Sequence, residues 1–99
     1  MPEVSRFYGI VVFMNMFLHV TDVTYLGDYR LRLEFNDGKV KDVDLKDELY
    51  GEIFTPLQDI AIFQQVAINS DTNTIEWPNG ADFAPEFLYE IGEEVRMVA

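Results

Sequence analysis

Arg30-Leu31-Arg32-Leu33-Glu34-Phe35-Asn36-Asp37-Gly38-Lys39-Val40 is the stretch whose reading decides the fold class. Leu31, Leu33 and Phe35 alternate with Arg30, Arg32 and Glu34. Successive strand side chains point to opposite faces, so a period of two describes a half-buried strand, apolar toward a core and charged toward water. Asn36-Asp37-Gly38 follows as the turn, with Asp37-Gly38 as the expected two-residue pair. Such a turn sets Phe35 against Val40 and places Asp42 opposite Leu33. Val43 and Leu45 then have the opposite parity, and a one-residue β-bulge near Lys41-Asp42 is expected to restore the register.

Toward the N-terminus, Thr21–Tyr25 reads as a weaker strand and Gly27-Asp28 as a turn or bulge. Ile10–Phe17 is a near-continuous apolar run with β-branched and aromatic members, which suits a strand covered on both faces. The wider run Phe7–Val20 is shorter than the about 20 residues that span a bilayer. Glu3 offsets Arg6 and no small-x-small site follows, so a signal peptide is not expected. Toward the C-terminus, Leu45–Tyr50 suits a short helical turn closed at Gly51. Thr55-Pro56-Leu57-Gln58 reads as a helix start, with Thr55 as N-cap, Pro56 at the first helical position and Gln58 completing a capping box. Val66–Ile68 and Thr74–Trp77 read as a second hairpin around the turn-rich Asn69–Asn73. Trp77-Pro78-Asn79-Gly80 makes a further turn. Asp82 is the expected cap of a last helix over about Ala84–Ile91, with Pro85 in its first turn, Gly92 past its end, and Phe87, Leu88 and Ile91 as its core face.

The expected fold class is therefore α+β: a small antiparallel sheet of two hairpins plus an N-terminal strand, with two short helices, in the order β-β-β-β-α-β-β-α. Residues 1–19 form a strand extension and residues 20–99 the single domain that a 99-residue chain can support.

Eighteen acids against seven bases leave a net charge of −11. An acidic surface repels phosphate backbones, so direct nucleic-acid binding is not expected. Residues 69–99 hold seven acids and one base, Arg96, which suits a solvated face or a basic partner protein. The absence of cysteine removes disulfides, thiol nucleophiles and Cys-type zinc sites, and favours a cytoplasmic location.

Few residues point to chemistry. Asp42, Asp44, Asp47 and Glu48 cluster near a strand end and have the oxygen ligands a hard cation takes, without EF-hand spacing; a solvated face accounts for them as well. His19 is the only histidine. It has no second His or Cys for zinc, though with Asp22 it has the composition of a general-base pair. Ser5, Ser70 and the threonines lack a nucleophile-elbow context, and no Gly-rich phosphate loop is present, so no cofactor is expected.

Three segments carry a family resemblance: Tyr29–Phe35 with Asn36-Asp37-Gly38; Phe54-Thr55-Pro56-Leu57 with Asp59 and Phe63; and Ile75-Glu76-Trp77-Pro78-Asn79-Gly80-Ala81-Asp82 followed by Ala84-Pro85-Glu86-Phe87-Leu88-Tyr89. Residues 20–91 resemble a family of small bacterial proteins, domain of unknown function 2442. Residues 1–14 look like the opening of domain of unknown function 4160, without the His-containing stretch with which that family continues. The resemblance implies no catalytic residues. It implies a partner encoded nearby, in the manner of toxin–antitoxin pairs.

The sequence thus points to a non-enzymatic interaction module that self-associates as a dimer and takes a basic protein partner, with no membrane involved. Its candidate surface comprises Ile10, Val12 and Met14 on the N-terminal strand, as a pairing edge, with Trp77, Asn79 and Asp82. The alternatives are a metal- or ligand-dependent enzyme using the Asp42/Asp44/Asp47/Glu48 cluster or His19 with Asp22, and transcriptional regulation through a DNA-binding partner.

Overall fold

The alternation at Arg30–Phe35 forms a strand, and its neighbours build a four-stranded antiparallel sheet around it. The computed structural model describes residues 17–96. Its strands are β1 (Val20–Gly27), β2 (Arg30–Phe35), β3 (Val40–Asp44), β4 (Ala67–Asn69), β5 (Thr74–Glu76) and β6 (Glu93–Glu94). The helices are α1 (Ile60–Phe63) and α2 (Pro85–Ile91), with 3-10 turns at Lys46–Glu48 and Thr55–Gln58. One sheet runs β1-β2-β3-β6 and the second hairpin, β4-β5, stands as a separate two-stranded sheet. The class is α+β, as the sequence indicates. The two hairpins do not share one sheet, and β6 is a strand the sequence did not announce. The expected strand Ile10–Phe17, with Ile10, Val12 and Met14, lies outside the described residues except for Phe17.

The central hairpin differs from expectation by one residue, and the cause is the turn. Phe35 N–H donates to the Lys39 carbonyl and Gly38 N–H to the Phe35 carbonyl, both at 2.9 Å, so the loop holds three residues. Gly38 takes φ +90, a left-handed conformation that glycine adopts without strain. Leu31 consequently faces Val43 and Leu33 faces Lys41 in an unbroken register. Val43 and Leu45 reach the core directly, and no bulge occurs at Lys41-Asp42. The irregularities lie in β1 instead, with Thr21 extra between Val20 and Asp22 and Leu26 extra between Tyr25 and Gly27, and the Thr21 hydroxyl donates to the Glu34 carbonyl.

The inner face of the large sheet supplies Val20, Leu31, Leu33, Phe35, Val43 and Leu45 to the core. Leu57, Phe63, Ile75, Trp77, Ala81 and Leu88 cover it from the other layer. The outer face carries the exposed Asp22, Thr24, Arg32 and Glu34, which is why β2 needs polar residues at alternate positions. Three hydrogen bonds lie at points the sequence hides, the first joining the two layers and the other two extending the sheet. Val20 N–H donates to the Asn73 carbonyl at 2.9 Å. Asn36 receives the His19 N–H on Oδ1 and gives its amide to the Phe17 carbonyl, so a turn residue extends the β1–β2 ladder.

The helix expected to start at Thr55 is broken into a 3-10 turn at Thr55–Gln58 and a short helix at Ile60–Phe63. Thr55 Oγ1 donates to the Gly51 carbonyl and Gln58 Nε2 to the Leu49 carbonyl, so neither serves a capping box. A 3-10 turn ends at Gln58, and Asp59 caps the single turn of α1 by accepting from Ala61 N–H at 3.0 Å. At α2, Pro85 opens the helix and Gly92 follows it. Ala84, not Asp82, is the N-cap residue, and it offers no side-chain bond. Asp82 instead forms a β-bridge with Glu76. Leu88 is the fully buried member of α2, whereas Ile91 is 37% exposed.

The rotation of α2 follows from Tyr89. Its ring meets Phe35 edge-on at 5.0 Å, its hydroxyl donates to Asp37 Oδ2 at 2.6 Å, and Lys41 Nζ sits 3.7 Å from the ring centroid. Lys41 Nζ also donates to the Tyr89 carbonyl. Burial and the Asp37 carboxylate push the Tyr89 phenol up to about 12 from an ordinary 10.0. The proton is held more tightly in the folded chain, so the associated stability is complete below pH 10.0 and is lost as pH rises toward about 12. Ultraviolet titration should show a late-ionising phenol phase, and Tyr89→Phe should remove it.

Candidate interaction surface

Asn79 is the residue that assembles the surface. In the turn after β5, Trp77 N–H donates to the Ala81 carbonyl and Gly80 N–H to the Trp77 carbonyl. Asn79 Oδ1 accepts from Ala81 N–H, which leaves its amide free to donate to the Ile53 carbonyl at 2.8 Å. The loop at 51–54 is itself folded by Phe54 and Thr55 N–H donating to the Gly51 carbonyl. Asn79 thereby fixes this loop against the Trp77–Ala81 turn and brings Phe54 over Phe83.

Three phenylalanines stack in a row as a result. Phe54 and Phe83 lie 4.6 Å apart with planes at 25°, and Phe83 and Phe87 5.6 Å apart at 19°. Trp77 supports the middle ring edge-on at 6.0 Å. Thr74 Oγ1 donates to the Phe83 carbonyl at 2.6 Å and holds the backbone beneath it. All three phenylalanines are half-buried, with part of each left in water. Ile53, 46% exposed, directly precedes Phe54 in the chain, and Ile91, 37% exposed, lies one helical turn beyond Phe87. An exposed acid directly precedes four members: Glu52 before Ile53, Asp82 before Phe83, Glu86 before Phe87 and Glu90 before Ile91. A contiguous apolar strip with a charged rim is the usual form of a protein-binding surface.

A family model described as protein of unknown function (DUF2442) matches residues 20–94. The chain belongs to this family. Every described strand and helix of the DUF2442 domain, and the whole aromatic row, falls within the matched residues. No curated protein and no solved structure matches the chain.

The three described candidates from the sequence take distinct places in this DUF2442 domain. Trp77 is not a surface residue: it is 1% exposed and its Nε1 donates to the Phe63 carbonyl at 2.8 Å. Asn79 positions the row, and Asp82 belongs to its acidic rim. Ile10, Val12 and Met14 lie outside the described residues. Phe54, Phe83, Phe87, Ile53 and Ile91 were not recognised from sequence. No local pattern marks them, because an acid also directly precedes the buried Phe35, Val43, Leu45, Leu49 and Trp77.

The acidic cluster does not converge. Asp42 is bound by Arg32 through two bonds of 2.8 and 3.0 Å, with Arg30 at 4.0 Å, while Asp44 accepts from Lys46 N–H. No group of three His, Asp or Glu with metal-binding geometry exists among the described residues. His19 bonds Asn36 through its backbone and the Asp22 carboxylate accepts from Val23 N–H, so the two do not form a pair. A depression of about 220 Å³ on the outer sheet face is lined by Asp22, Thr24, Arg32, Glu34, Val40 and Val95, a mixed-charge set. Among the described residues no helix is long and apolar enough to cross a membrane.

The Arg32 guanidinium bonded to Asp42 holds its carboxyl below the ordinary 3.8. A carboxyl depressed on folding contributes stability above its unfolded value, and this is lost as pH falls through the lower folded value. Acid unfolding followed by circular dichroism should therefore show Asp42→Asn less stable than wild type near neutrality, with the gap closing below pH 3.8.

Proposed function

We propose that this chain is a non-enzymatic protein-interaction module whose binding surface is the row Ile53-Phe54-Phe83-Phe87-Ile91. One observation carries this reading: three stacked rings remain half in water although the residues around them are fixed by Asn79, Thr74 and Trp77. Fixed aromatic side chains lose little conformational entropy on binding and offer large apolar area, which is what interface anchors provide. The neighbouring-gene product that the family resemblance suggests is the first partner to test. The reading includes self-association through the N-terminal run Ile10–Phe17.

The test is co-purification of the full chain from its native cell, comparing wild type with Phe87→Ser and identifying proteins by mass spectrometry. A defined partner retained by wild type and lost by the variant, with unchanged circular dichroism, supports the reading. An identical set of proteins on both sinks it. Native mass measurement of the same wild-type sample separates the self-association arm, for which a purely monomeric mass is the negative result.

A further inference from the structure

We infer that the occupant of the Ile53-Phe54-Phe83-Phe87-Ile91 row is a basic amphipathic helix of a partner protein, with Lys or Arg bordering its apolar stripe. The inference rests on the interaction-module reading and adds to it the shape and charge of the partner.

Shape comes from the spacing of the rings. Their centroids stand 4.6 and 5.6 Å apart along the row. A helix presents neighbouring apolar side chains at i and i+4 about 5–6 Å apart, whereas same-face residues of an extended strand lie roughly 6.6 Å apart. A helix stripe therefore keeps step with the rings, and an added strand drifts out of step.

Charge comes from the rim. On α2, Glu86 and Glu90 form a stripe parallel to Phe87 and Ile91, roughly 100° around the helix. Asp82 and Glu52 directly precede Phe83 and Ile53 in the chain, and all four acidic residues are exposed. Asp82, Glu86 and Glu90 make none of the ion pairs found among the described residues. A second copy of this chain is a poor occupant, because it would bring acids against acids at a net charge of −11 per chain. Three of its seven bases are also engaged: Arg32 with Asp42, Lys39 with Glu94, and Lys41 over Tyr89.

The experiment is fluorescence anisotropy of the full chain with a synthetic amphipathic peptide of roughly 18 residues, long enough to populate a helix. Its Leu stripe is bordered by Lys, and a control peptide carries Glu in place of Lys. The Lys peptide is expected to bind and the Glu peptide to fail. Asp82→Asn/Glu86→Gln/Glu90→Gln should weaken binding about tenfold, while Asp22→Asn/Glu34→Gln/Asp71→Asn, with the same change in net charge, should alter it less than about twofold. Phe87→Ser should abolish binding at unchanged charge. Ile91→Ser, at an already exposed position, serves as the second apolar variant if Phe87→Ser disturbs the fold. Equal weakening by both acid triples, or binding that survives Ile91→Ser and Phe87→Ser, overturns the inference. So does failure of the Lys peptide to bind. If the Lys peptide fails while a native partner is still lost on Ile91→Ser, the basic helix is wrong and the interaction module stands. If neither apolar variant moves the partner or the peptide, both readings fall.

Discussion

Trp77→Ala is expected to remove most of the stability of the fold. Trp77 is the largest fully buried side chain, touching Phe63 at 5.5 Å and Phe83 at 6.0 Å between ring centroids. Truncating a buried tryptophan costs about 3–5 kcal/mol through lost burial and the cavity left behind. The Phe63 carbonyl also loses its 2.8 Å indole donor. A domain this small has only about 5–15 kcal/mol in total, so a large unfolded fraction in water is the expected outcome. Urea titration followed by far-ultraviolet circular dichroism measures it, since the variant has no tryptophan fluorescence. Trp77→Phe separates the two contributions: it keeps most of the ring volume and removes one of two donors to the Phe63 carbonyl, since Val66 N–H still donates at 3.3 Å, so it should cost about 0.5–1.5 kcal/mol. A loss below about 1 kcal/mol for Trp77→Ala would refute the central role given to this residue.

Phe63→Ala is expected to cost nearly as much, for a different reason. The Phe63 ring joins the two layers: it meets Tyr25 at 6.1 Å and Tyr29 at 5.4 Å on the β1–β2 side, and Trp77 on the other. About 3–5 kcal/mol is the expected loss by urea titration. Its carbonyl survives the substitution, so the indole bond of Trp77 can persist. The double variant Phe63→Ala/Trp77→Ala should be less destabilised than the sum of the singles, because the second truncation enlarges a cavity that already exists. Strict additivity would show that the two rings do not share one cavity.

The strands were legible where the pattern is local. Arg30–Phe35 alternates strictly and forms β2, and the Pro85 and Gly92 signals bracket α2 as expected. The register is not legible, because Asp37-Gly38 fits both a two-residue and a three-residue loop, and the two differ at Asp37, which does not take the positive φ that a two-residue type I′ turn needs. The Thr55 capping box failed for a related reason. Hydroxyl and amide groups bond whichever carbonyl the fold brings near, here Gly51 and Leu49. The surface was hidden by the same kind of distance. Phe87 and Ile91 read as core from helical spacing, but Tyr89 turns the helix by bonding Asp37, a residue 52 positions earlier. No local window contains that contact.

The last strand has a consequence for how the chain reaches its native state. β1, β2 and β3 form a meander of short connections, so they can pair early. β6 joins β3 only by closing a loop of about half the chain, through the Val95 N–H on the Val40 carbonyl and the Lys39–Glu94 pair. Until that closure, Val40–Asp44 is a bare edge able to capture a strand from another molecule. Glu93 and Glu94 are therefore expected to shield this edge, and a chain ending at Gly92 should precipitate more readily than the full chain in a sedimentation assay.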